Sequence, residues 1–462
     1  MNNKHDEHTR RRSMKSALAL AVLAAALGVS AQSQAQGANL TINGEQITYA
    51  DHVAQIIADN CVVCHREGGI GPMQLSNYEQ VRPWAPLISM RVANREMPPY
   101  SYDQHIGIQD LQGDWRLSDD EISTITAWVA QGAPEGDWGD RTPPVPDLPD
   151  PNEWNFADQF GQPTLVLDST PIDVPAIGND MWHRPYVETG LATDRCIKAI
   201  QVKPAGNAKA VVHHANSDVE VMNADGEYEP YGQLTEYAMG KWGEIMPEGV
   251  CRVLPAHARV RWDIHLFPGG VGPTAPGTII EDNVVQVGLW LYPEGYENTA
   301  RFKQDLKLYR LGEGELIVPP HGTAMTQGFH SFDHPVRVDS FQPHGHLRMR
   351  AASFEIYYPE TGRTEQISQI SNWSATWHHS HLYEPDVAPL VPTGAVLVLK
   401  QWYDNTANNP NNPDPDFWVV AGSRTADEMT HAWIAITHLD EEGYQELLAQ
   451  REAAKQRSVA GQ

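Results

Sequence analysis

Between residues 134 and 152 the chain carries Pro134, Pro143, Pro144, Pro146, Pro149 and Pro151. Fixed φ angles and missing N–H donors deny such a run both helix and central strand, so it acts as a semi-rigid linker between parts that fold on either side. The hydrophobic period differs across that divide. Before it, Tyr49 to Cys61 sets Val53, Ile56 and Ile57 at helical spacing. Ser118-Asp119-Asp120-Glu121 is a capping box ahead of Ile122, Ile125, Trp128 and Val129 on one face. Two amphipathic helices are expected there, the second ended by Gly132-Ala133-Pro134. Beyond the divide the period is two: from Ala258 to Phe267, Val260, Trp262, Ile264 and Leu266 share one face while Arg259, Arg261, Asp263 and His265 share the other. Segments 284–291, 354–358 and 395–403 read as further strands between Gly, Pro and Asn clusters.

The expected architecture is multidomain. An all-α domain covers 46–133, the linker covers 134–152, and an all-β region follows that is too long for one sandwich. A tail at 446–462 is helical from about Glu441 onward.

Hydrophobic residues make up 41% and charged residues 20% of the 462, so the chain is globular rather than disordered. Lys+Arg 33 against Asp+Glu 59 gives a net charge of −26, which argues against nucleic acid and anionic lipid surfaces as partners. Residues 1–35 differ from the rest. Arg10-Arg11-Arg12 and Lys15 precede an apolar run from Ala17 to Leu27, and small residues follow to Ala31 or Ala35. This is the pattern of a cleavable secretory signal, so the protein is expected in the periplasm, with no membrane span.

Four cysteines occur, two of them in Cys61-Val62-Val63-Cys64-His65. CxxCH is the c-type haem attachment pattern: each thiol adds across a vinyl group, and the adjacent His65 becomes the proximal iron ligand. A thioredoxin-like motif or half a zinc site requires no following His, and there is no second CxxC to complete a zinc ribbon. Met73, Met90 and Met97 are candidates for the sixth ligand. Met97 is preferred, because Pro98 and Pro99 hold it in a stiff, non-helical loop. Cys196 and Cys251 are expected to pair in an oxidising compartment, although their spacing does not decide whether they meet.

The grouping of the 20 histidines matters more than their number. In a strand, His344 and His346 project to one face, so one metal can bridge them. His213 and His214 project to opposite faces and can share a metal only at a strand end or a bulge. Imidazoles suit copper, zinc, iron and nickel, and a thioether such as Met429 biases a site toward copper. His378-His379-Ser380-His381 is a further cluster, read as a solvated loop between Trp377 and Pro385, with lining a cleft or supplying a ligand as alternatives.

Four segments in order carry a resemblance: Val212-His213-His214, Ile264-His265-Leu266-Phe267-Pro268, Pro343-His344-Gly345-His346-Leu347 and Thr425-Ala426-Asp427-Glu428-Met429. Together, over residues from about 155 to 440, they resemble the copper type II, ascorbate-dependent monooxygenases, the family of peptidylglycine and dopamine hydroxylating enzymes. The fused N-terminal haem domain looks like the arrangement in bacterial members. The resemblance implies two jelly-roll sandwiches, at 153–315 and 316–445, with two coppers facing each other across a solvent cleft. His213, His214 and His265 would hold one copper. His344, His346 and Met429 would hold the other, where catalysis takes place. Gln342 stands where the peptide-amidating enzyme has a carboxylate-gripping Arg, and Trp433 stands in place of a Tyr, so a peptide carboxylate is not the expected substrate.

The expected function is therefore hydroxylation of a C–H bond of a small organic substrate by O2, with electrons passing from a periplasmic donor through the haem. A non-enzymatic electron-transfer or copper-handling protein is the alternative. A zinc hydrolase is disfavoured, because HExxH is absent and Met is an unusual zinc ligand.

Overall fold

The computed structural model describes residues 41–42, 45–150, 152–238, 241–267, 277–312 and 316–460. The signal segment expected at 1–35 lies outside the described residues. Two compact units form. One takes the chain to Pro98 together with Trp115–Asp147, and the other takes Pro99–Asp114 together with Leu148–Gln462. The stretch 46–133, read as one domain, is thus interrupted by a strap at 99–114. Backbone pairing draws the strap to the β-rich unit: Asp103 N–H donates to Gln369 O, Ile108 N–H to Ile367 O and Gln112 N–H to Leu382 O. Buried Tyr102 anchors it, its hydroxyl 3.0 Å from Ile367 O and 2.9 Å from Ser368 Oγ.

In the first unit helix is confined to short segments. A π turn at Tyr49–Val53 leads into α1 (Ala54–Asn60), followed by α2 (Ala85–Ala93) and α3 (Asp119–Ala130). The capping box read at Ser118 is formed. Ser118 Oγ accepts from Glu121 N–H at 3.2 Å and the Glu121 carboxylate accepts from Ser118 N–H at 2.8 Å. Val53, Ile57, Ile125 and Trp128 are fully buried, and the Trp128 indole N–H donates to Pro134 O.

The second unit is predominantly antiparallel β. Its first half contributes β1 (Met181–His183), β2 (Arg195–Ala205), β3 (Val212–Met222), β4 (Tyr228–Ala238), β5 (Val250–Leu254), β6 (Ala258–Leu266), β7 (Ile279–Leu291) and β8 (Phe302–Arg310). The second half contributes β9 (Thr323–Ser331), β10 (Ser340–His344), β11 (Met349–Tyr358), β12 (Arg363–Ile370), β13 (His381–Leu382), β14 (Val396–Asp404) and β15 (His431–His438). The closing helix α4 runs Glu441–Ala460, starting where the helical reading of the tail placed its onset. In β6 the alternation appears as read, with Val260, Trp262, Ile264 and Leu266 buried in a core with Ile197, Ile200, Val287 and Leu289. His265 breaks it: it lies on the polar face, yet is only 5% exposed.

The two sandwiches expected at 153–315 and 316–445 are not separately hydrogen-bonded bodies. β8 pairs with β15 from Lys303↔His438 to Arg310↔His431, so both halves share one 17-stranded sheet. A four-stranded sheet, β9-β14-β11-β12, accompanies it. The pairing expected of Cys196 and Cys251 is present: adjacent strands β2 and β5 bring their Cα atoms to 5.1 Å and they form a disulfide. Among the described residues no helix is long and apolar enough to cross a membrane.

Candidate metal centre

The register of β3, β6 and β1 builds the first histidine group. His265 in β6 faces His214 in β3, while Leu266 faces Val212, so His213 is the extra residue of a β-bulge. The bulge removes the strand-geometry objection to adjacent histidines sharing an ion, because it rotates His213 onto the face of His214. His265 Nδ1 lies 3.3 Å from His213 Nδ1 and 3.3 Å from His214 Nε2. Two nitrogens each about 2.0 Å from one tetrahedral ion stand about 3.3 Å apart, so this spacing fits a three-imidazole metal site.

Surrounding groups fix the rings. On its other flank His265 faces Trp182 of β1, whose ring stacks on it at 4.6 Å and 4°. Asp180 Oδ2 lies 3.3 Å from His265 Nε2, which leaves Nδ1 as the inward lone pair. The same Asp180 oxygen accepts a hydrogen bond from Thr425, in the loop that carries Met429. The carbonyl of Ala375 accepts from the His213 ring.

The second group is built on β10 and β15. His344 at the end of β10 faces His431 at the start of β15, and the rings stack at 4.8 Å and 21°. His346 Nδ1 lies 3.1 Å from Asp427 O, which assigns its proton there and leaves Nε2 as the available ligand atom. Met429 is half-buried, and its carbonyl accepts from the Tyr403 hydroxyl at 2.9 Å. All six residues proposed as copper ligands, His213, His214, His265, His344, His346 and Met429, line one cavity of about 840 Å³. Across this cavity the ring centroids of His214 and His344 stand 5.9 Å apart.

Contrary to the solvated-loop reading, His378, His379 and His381 are all buried, at 5%, 3% and 1% exposure. The reason is the strap: Tyr100 packs on His379 and His381 and Tyr102 packs on His381, covering the segment from one side. His378 points the other way, into the cavity. Sequence reasoning also missed Asp180, Glu428 and His431. Glu428 and His431 lie beside Met429 in sequence, whereas Asp180 lies near none of the residues singled out and left no signal.

Burial keeps these imidazoles neutral. It pushes His213 and His379 down to about 4 and His431 down to about 3, while His214, His344 and His378 lie well below the ordinary value. The metal-free folded protein therefore binds fewer protons than the unfolded chain between about pH 6.5 and 4. Its stability should fall as the pH drops through that window, by on the order of 1–2 kcal/mol per buried ring at pH 5. Urea midpoints of the metal-free protein at pH 7.5, 6 and 5 measure this. A flat profile would mean that the rings are hydrated.

In the first unit, Cys61 caps α1, and its carbonyl accepts from the N–H groups of Cys64 and His65, folding CxxCH into one turn. Neither thiol is in a disulfide, and burial pushes them up to about 12 and about 11. His65 Nδ1 lies 3.0 Å from Met73 O, which leaves Nε2 available to iron. A Cβ on Gly71 would come within 2.5 Å of His65 Nδ1, so the bare backbone there permits the ring's seat. Met97 is half-buried in the loop after α2, whereas Met90 is 48% exposed. These features fit a covalently held haem.

No family model matches the chain, and no curated protein matches it. Among solved structures, the major capsid protein P2 from bacteriophage PM2 is 10% identical with a TM-score of 0.26, covering 60% of this chain and 98% of its own. An infectious bursal disease virus VP2 subviral particle is 7% identical with a TM-score of 0.19, covering 60% and 77%. A fucolectin from striped bass serum is 10% identical with a TM-score of 0.15, covering 60% and 96%. Likeness this slight carries no argument about fold or function.

Proposed function

We propose that this chain is an exported periplasmic copper-dependent monooxygenase that hydroxylates a C–H bond of a small organic substrate with O2. In this reading it consists of a cytochrome c domain followed by two jelly-roll-like copper-binding halves. The observation that carries the proposal is one cavity lined both by the converging nitrogens of His213, His214 and His265 and by His344, His346 and Met429. Two coppers would supply O2 activation and one-electron storage, and the c-type haem would supply electrons from a periplasmic donor.

The chain's own groups set the conditions for that chemistry. Asp180 and the carbonyls of Ala375 and Asp427 fix which nitrogen of each ring faces inward. Trp182, Leu306, Leu308 and Trp433 give the cavity apolar walls. Gln342 is turned away, buried, with its Oε1 accepting from Ser380 Oγ at 2.7 Å. The lining also includes Arg184, Arg261, Lys307 and Arg310, so the substrate class proposed is a small organic molecule, polar or apolar, that lacks only a partner at position 342.

Metal counting combined with O2 uptake across a panel of small apolar and aromatic compounds tests the reading. Uptake should require an added compound. Uptake indifferent to it would favour the electron-transfer or copper-handling role, and stoichiometric zinc without copper would revive a hydrolase. For the haem, Cys61→Ala or Cys64→Ala should weaken or abolish the covalent link. Wild-type protein that releases its haem into acid acetone would refute the attachment.

A further inference from the structure

We propose that Arg310 anchors the substrate by a carboxylate, so that the compounds oxidised in this cavity are small organic monoanions with an apolar body. The inference rests on the reading of the cavity as the site of oxidation and narrows its substrate class. Besides the histidines, the cationic side chains lining the cavity are Arg184, Arg261, Lys307 and Arg310. The first three are committed within the fold, Arg184 to Asp263, Arg261 to Asp218 and Lys307 to Asp305. Among the described residues the Arg310 guanidinium has no carboxylate partner.

Strand register fixes where that charge points. Arg310 ends β8 directly opposite His431 of β15, and His431 in turn faces His344 of β10. Residues opposite one another in antiparallel strands project to the same face, so the three form a row across the sheet on the cavity side. Burial first, and then the nearby Arg310 charge, push His431 down to about 3, which agrees with that placement. Neighbouring strands lie about 4.8 Å apart, so the Arg310 and His344 columns stand about 10 Å from each other, room for a carboxylate joined to one aromatic ring or to a short alkyl chain.

An exposed arginine on an ordinary surface is hydrated and needs no ligand. Arg310 is exposed too, but its surroundings are those of a binding wall. Leu308 and Trp433 each lie two positions along from the Arg310 and His431 pair, share its face and line the same cavity. The Trp433 ring reaches on to His431 at 4.6 Å and to His344 at 5.1 Å. A carboxylate on Arg310 would take two parallel N–H bonds, and the hydrocarbon behind it would cover the leucine and the tryptophan on its way to the histidines. A chain with a net charge of −26 repels anions at long range, so only a local, unneutralised cation can hold one. One guanidinium offsets one charge, which favours a monoanion over a phosphate dianion.

The test is calorimetric titration of the mature full-length protein with phenylpropionate and hexanoate and with their uncharged amides, phenylpropionamide and hexanamide. Wild type should bind at least one acid about 10-fold or more tighter than its amide. Arg310→Gln should weaken the acids by about 10–100-fold and leave the amides within about twofold. Arg310→Lys should recover part of the loss, because the charge remains while the planar fork is gone. Lys307→Gln, which removes a cation already paired, should leave the preference for acids in place. Equal binding of acids and amides by wild type would overturn the inference. So would a preference for acids that survives Arg310→Gln, or an equal loss of acids and amides in that variant. Copper-dependent O2 uptake, which the acids should stimulate, reads the underlying function separately. Acid binding through Arg310 without such uptake would support the anchor and fail the monooxygenase reading. Uptake driven equally by the amides and unchanged in Arg310→Gln would overturn the anchor and leave that reading standing.

Discussion

Met429→Ile is expected to abolish product formation, by about 10²-fold or more, while leaving the copper of the three-histidine site and the reduction of the haem in place. Isoleucine is close to methionine in volume, so what is removed is the sulfur rather than the packing. Met429 lines the cavity, and its backbone is fixed at both ends, by Glu428 at its N–H and by Tyr403 at its carbonyl. The substitution should therefore not shift His344 or His346. In the proposed copper site the thioether would be the soft ligand, and its loss would lower the preference for Cu(I). His213→Ala should do the opposite: it should lower occupancy of the other site and slow haem reoxidation in the presence of substrate. Copper counting together with stopped-flow haem reoxidation reads both. Full turnover by Met429→Ile would remove O2 chemistry from that site and leave electron transfer as the better reading.

What could be read from sequence is what depends on local periodicity. The β6 alternation and the capping box at Ser118 each act over a few residues, and the structure places them as read, whereas the proline-rich stretch read as a linker belongs to the first unit up to Asp147, with Pro134 O and Glu135 O accepting from the N–H groups of Tyr49 and Ala50. The pairing of β8 with β15 was invisible, because register between strands more than a hundred residues apart leaves no local trace. The same blindness explains the misplaced 378–381 segment. Its flanking Trp377 and Pro385 resemble a surface loop, and only the strap at 99–114, which shows no helical or strand period, buries it. The bulge at His213 was foreseeable only as a condition: adjacent histidines could share a metal if a bulge existed. His431 and Asp180 enter through cross-strand neighbours and not through any motif.

Glu428→Gln is expected to destabilise the protein by about 2–4 kcal/mol and to lower copper occupancy at His344 and His346, with the three-histidine site retained. The carboxylate is a fully buried acceptor for four backbone N–H groups. Oε2 takes His346 at 2.7 Å and Met429 at 3.3 Å, and Oε1 takes Arg348 at 2.5 Å and Met349 at 3.1 Å. One side chain thus ties the turn containing His346 to the backbone of Met429, although the two residues are more than eighty positions apart. Burial pushes its carboxyl up to about 7, with the four donors acting in the opposite direction. Glutamine has almost the same shape, but its NH2 must replace one oxygen. In either orientation it then sets a donor against two N–H donors and leaves both buried and unsatisfied, at about 1–3 kcal/mol each. The Arg348 guanidinium, held by Ala426 O at 2.7 Å, stays where it is and offers the amide no acceptor. Urea denaturation and copper counting on Glu428→Gln would measure the two effects. Wild-type stability with both coppers bound would show that His346 and Met429 are positioned without this carboxylate.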